Sequence, residues 1–110
     1  GFHGPFKSNL LSESDFIKMS KYKFFDSVFD TISRKRKDTP AIQDDRKNTF
    51  LEKIELIAKK DTGFFRLNKK LSNEPKKFEH EWSHALTEYY EFLILNYSSN
   101  NMFCLLLAYD

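Results

Sequence analysis

"EYYEFLILNYSSNNMFCLLLAY", residues 88–109, holds the last two apolar runs of the chain, parted by the polar residues Ser98–Asn101. The first run carries a helical period. Tyr89, Leu93 and Tyr97 continue a series that starts at Phe78, Trp82, Ala85 and Leu86, and spacings of three and four put these on one helix face. The series predicts a long helix opening near "SNEP" (72–75). The second run, "MFCLLLAY" (102–109), is apolar throughout, so it fits a buried helix or a central strand, and period alone does not choose.

Upstream, "SESD" offers Ser12 or Ser14 as an N-cap with acids in the first turn, where the helix dipole favours them. Ile17, Tyr22, Phe24, Phe25, Val28, Phe29 and Ile32 then fill one broad face, predicting a first helix from Asp15 to Arg34. Thr39-Pro40 reads as the start of a second helix, because a proline at the first helical position gives up an N–H that has no partner there. Ile42, Phe50, Leu51, Ile54 and Ile57 give it an inward face to about Lys60, with Gly63 as its terminator. "FFRLNKKL" (64–71) is a short third helix or a strand. The expected fold is therefore all-α. A single domain packs four to five amphipathic helices over residues 13–110, after an irregular segment over 1–12, and a short C-terminal strand is the one β alternative.

Composition fits that reading. Three Gly and three Pro among 110 residues leave little material for tight hairpins, while 12 Phe and 5 Tyr imply a core built largely from rings. A net charge of +2 does not by itself call for a polyanionic partner. Cys104 stands alone, which rules out an intrachain disulfide and a cysteine-built zinc site. With no signal-peptide pattern at "GFHGPF", the lone cysteine points to a reducing, intracellular compartment. No apolar run approaches the ~20 residues of a membrane-spanning helix. The start at Gly1 and the apolar end suggest a processed chain or a piece of a longer one.

Inside "FEHEWSHALTEYYEF" (78–92), His80-Glu81-x-x-His84 has the His-Glu-x-x-His spacing of zinc peptidases. Two histidines four apart on a helix can share a zinc ion, and the Glu between them can act as general base on the bound water. The resemblance covers five residues. It implies His80 and His84 as ligands, Glu81 as the catalytic base, and Glu88, Glu91 or His3 as the third ligand; zinc is the only cofactor the sequence suggests. On the helical projection His80, His84, Glu88 and Glu91 fall opposite the core, so the leading reading is a solvated stripe.

Arg34, Lys35, Arg36 and Lys37 form a basic patch that could contact nucleic acid, or could simply complement a helix C-terminus. "LTEYYEFLILNYSSNNM" (86–102) resembles the third and fourth helices of regulator-of-G-protein-signalling domains through Leu86, Tyr89, Phe92, Leu93, Tyr97, Ser98, Asn101 and Met102. That resemblance implies a Gα-binding fragment with Asn101 at the partner surface. The function expected from the sequence is a non-enzymatic helical interaction or regulatory module with a protein partner. A homo-oligomer through the apolar C-terminal segment is one form of it. The enzyme alternative is the zinc-dependent hydrolase, and the third is nucleic-acid binding.

Overall fold

The paired rings of Phe64 and Phe65 and the aromatic content of residues 89–92 build a sheet where the helical period predicts a bundle. The computed structural model describes residues 2, 3, 6–8, 11–34, 43–58, 61–68 and 88–109. Two short strands, β1 (Phe2–His3) and β2 (Phe6–Lys7), pair antiparallel, with Phe2 opposite Lys7 and His3 opposite Phe6. A 3₁₀ turn (Glu13–Asp15) leads into β3 (Phe16–Met19), followed by α1 (Lys21–Ser33), α2 (Asp44–Ile57), β4 (Thr62–Leu67), β5 (Glu88–Asn96) and β6 (Asn101–Tyr109). Strands β3 to β6 form a four-stranded antiparallel sheet in the order β3-β4-β5-β6.

The all-α bundle of four to five helices is thus overturned: among the described residues there are two α-helices and a sheet. The error has a physical source in β5. Its odd positions (Tyr89, Leu93, Leu95) and even positions (Tyr90, Phe92, Ile94) are both apolar, as suits an interior strand covered on both faces. A run apolar on both faces satisfies a helical period as readily as a strand period. The inward helical series through Tyr89, Leu93 and Tyr97 is a product of that ambiguity; its earlier members lie outside the described residues. The "MFCLLLAY" run is a strand, though an edge strand and not a central one.

The first helix starts later than its apolar pattern suggests. Ser12 does cap, its backbone N–H bonding the Asp15 carboxylate at 2.8 Å, but it caps one 3₁₀ turn. Ser20 caps α1, its hydroxyl accepting from the Lys23 N–H at 3.2 Å. Ile17 belongs to β3, and Tyr22 is 80% exposed. α2 starts at Asp44, after an extended Gln43 that is its N-cap, and ends at Ile57 with Ala58 as its C-cap. It thus begins later than the expected Pro40, which lies outside the described residues, and stops short of Lys60; Asp44 and Asp45 lie in its first turn.

The chain divides into two compact units. In the unit made of residues 18–65 and 93–103, Phe24, Val28 and Ile32 of α1 are buried together with Ile54, Phe64 and Ile94. The Phe24 and Phe64 ring centroids lie 4.9 Å apart. Gly63 sits within β4 and terminates no helix. A Cβ there would run into the Tyr97 hydroxyl and meet Phe65 Cε2 at 3.0 Å, so the close approach of Tyr97 needs glycine. In the unit made of residues 1–17, 66–92 and 104–110, Phe6, Leu67 and Phe92 are buried, and with them the carboxylate of Glu91. No helix among the described residues is long and apolar enough to cross a membrane.

Candidate functional site

Burying a carboxylate costs several kcal/mol unless its oxygens find donors, so a Glu that is 1% exposed needs partners. Glu91 has two. His3 Nε2 lies 2.6 Å from Oε2 and 2.8 Å from Oε1, and the Tyr89 hydroxyl donates to Oε1 at 2.9 Å; the Cys104 thiol on the neighbouring strand feels the carboxylate's charge. His3 comes from β1, Tyr89 and Glu91 from β5, and Cys104 from β6. Tyr89 and Glu91 are two apart on a strand, which places both on one face.

The short β1–β2 pair brings His3 into place. A two-residue ladder is too short to hold itself. Phe6, fully buried, stacks edge-on against Tyr89 with centroids 5.8 Å apart, and the His3 ring meets Phe16 edge-on at 6.2 Å. These contacts fix His3 while leaving its side chain 44% exposed.

The electrostatics follow from one buried negative charge. Burial, then the charge of Glu91, then the hydrogen bond to it push the Tyr89 phenol well above its ordinary value of 10.0. Burial, then the charge of Glu91, also raise the Cys104 thiol above 9.0. Both groups therefore stay protonated beside Glu91, and the Tyr89 hydroxyl donates to it. Cys104 is exposed as a residue, yet its sulfur is held as a thiol and not as the nucleophilic thiolate. Alkylation with iodoacetamide is expected to show a pH midpoint above 9.0, brought down by Glu91→Gln; a midpoint at or below 9.0 in the unaltered protein would exclude this arrangement.

The structure rearranges the residues singled out in the sequence. Glu91, placed on a solvated stripe, is the most buried charged residue described. Its neighbour on that stripe, Glu88, is half-buried and accepts from the Tyr90 hydroxyl at 2.6 Å. Two of the three side chains offered as a third zinc ligand, His3 and Glu91, do meet, as a hydrogen-bonded pair. His80, Glu81 and His84 lie outside the described residues. Among those described, no three His, Cys, Asp or Glu side chains group so as to hold a metal ion. Arg34 caps the end of α1 and pairs with Asp30 at 3.1 Å; Lys35, Arg36 and Lys37 lie outside the described residues. Asn101 opens β6, and the segment that resembles two signalling-domain helices is strand, turn and strand. Sequence reasoning missed Tyr89 as a partner of Glu91 and Cys104 as its neighbour. The one signal was the alternation Tyr89, Glu91, Leu93, Leu95, which puts Glu91 on an apolar strand face.

A second feature is the edge of the sheet. β6 is an edge strand of nine residues, and from Asn96 to Tyr109 the chain carries no charge. Met102 is 64% exposed, Leu106 52% and Phe103 39%. The opposite edge, β3, is four residues long and carries an exposed Lys18. Compared with known protein families, with curated proteins and with solved structures, the chain matches none.

Proposed function

We propose that this protein is a non-enzymatic interaction module that binds an extended segment of a protein partner along the edge of β6. The observation that carries the reading is the contrast between the two edges. Natural sheets blunt their edges with short strands, lysines, prolines or bulges, and β3 fits that pattern through its length and Lys18. β6 is long, uncharged and free of proline, with apolar side chains open to solvent. Such an edge suits strand addition, in which backbone hydrogen bonds give affinity and alternate side chains give selectivity.

The reading is tested with a fluorescent peptide copying residues 101–109 and carrying a lysine tail for solubility. Anisotropy is expected to show saturable binding to dilute protein, weakened at least about tenfold (~1.4 kcal/mol) by Leu106→Lys in the protein. Absence of binding, or binding indifferent to Leu106→Lys, would overturn it.

A further inference from the structure

We propose, resting on the reading of β6 as a pairing edge, that its occupant is β6 of a second copy of this chain, joined antiparallel about a two-fold axis at Leu105. Three observations point to a second copy. First, antiparallel self-pairing usually fails when it sets like charges opposite one another, and β6 has none to oppose.

Second, the strand is self-complementary about its centre. An axis at Leu105 overlaps all nine residues. It sets Met102 opposite the second copy's Ala108, Phe103 opposite Leu107, and Cys104 opposite Leu106, apolar against apolar at these three steps, with Asn101 opposite Tyr109 at the ends. Opposed residues in an antiparallel pair point to the same face. The exposed positions Met102, Cys104, Leu106 and Ala108 therefore join their counterparts on one face, and the exposed Phe103 with the half-buried Leu105, Leu107 and Tyr109 join theirs on the other.

Third, this assembly closes. A two-fold contact uses the same surface on both copies and so uses it up. The resulting eight-stranded sheet would end in two β3 edges, each short and carrying Lys18, which do not invite further strands. A head-to-tail contact of β6 on β3 would offer only four residues and would leave a free β6 at every step.

The test is a charge exchange that depends on register. The unaltered chain is expected to sediment at twice its 13.1 kDa mass. Met102→Glu alone, and Ala108→Lys alone, are expected to yield monomers with unchanged circular dichroism. Combining both in one chain sets Glu against Lys at each end of the pairing and is expected to restore the dimer. In a Cys104→Ser background, Leu105→Cys is expected to cross-link to itself on mild oxidation, since only the residue on the axis faces its own copy. A dimer that the double variant fails to restore, or that does not cross-link at position 105, would overturn this register. A chain that stays monomeric but binds the 101–109 peptide would overturn self-pairing and leave strand addition standing; one that does neither would overturn both.

Discussion

Phe24→Ala is expected to lower the free energy of unfolding by about 3–5 kcal/mol, the range for deleting a fully buried aromatic ring. Phe24 is 0% exposed and lies against Phe25, at 5.7 Å, and Phe64. Alanine would leave a void lined by rings whose strand and helix backbones cannot collapse into it. Against a total stability of about 5–15 kcal/mol for a domain of this size, the loss would leave a large unfolded fraction. Urea denaturation followed by circular dichroism measures it as a lower midpoint at unchanged slope. Tyr22→Ala is the matched control. Tyr22 shares the helical face drawn from the sequence but is 80% exposed, so its removal should change stability by no more than about 0.5 kcal/mol. Equal effects at the two positions would mean that α1 presents a different face to the sheet.

The second large effect is expected at the Glu91 pair. His3→Ala should destabilise by about 1.5–3 kcal/mol, the range for hydrogen bonds to a charged group, because the buried carboxylate loses the ring nitrogen that meets both its oxygens. The exposed side of the His3 ring argues for the lower half of that range. Glu91→Gln should cost less, since the amide oxygen still accepts from Tyr89 and no charge is left to satisfy. The double variant should cost clearly less than the sum, as the two side chains act as one unit. Simple additivity in this cycle would show that the contact contributes nothing in solution.

Alkaline pH probes the same charge from the other side. The unfolded chain releases the Cys104 proton near 9.0 and the Tyr89 proton near 10.0, while the folded chain holds both to higher pH. Above pH 9 the unfolded state thus binds fewer protons, and stability must fall as pH rises. This contribution is fully present below pH 9. Cys104→Ser should flatten the first part of the fall, and Glu91→Gln should reduce the whole of it, in denaturation midpoints measured across that window.

α1 was legible in the sequence because its core residues Phe24, Val28 and Ile32 recur every fourth position and the opposite face is polar. Nothing comparable marked β5. With both faces apolar it offers six apolar residues among Tyr89–Leu95, and any period selects some of them as a stripe. A helical period through that run turns Glu91 to the solvent side. Its true environment also depends on His3, 88 positions away, and no local pattern announces a partner at that distance. The exposed edge of β6 was half legible. Its uniform apolarity suggested burial or an interface, but only the strand order separates the two.

The connections within the sheet set an order of assembly. β5 and β6 are joined by residues 97–100, with Asn100 at φ 56°, a left-handed conformation that Asn adopts readily. β3 and β4 pair only across residues 20–61. Closing a short loop loses less chain entropy, so the β5–β6 ladder should form early and the β3–β4 ladder late. The uncharged β6 edge would then be complete while the rest of the sheet is still open. For this chain, association and folding compete in time, and the concentration at which it refolds becomes part of its folding mechanism.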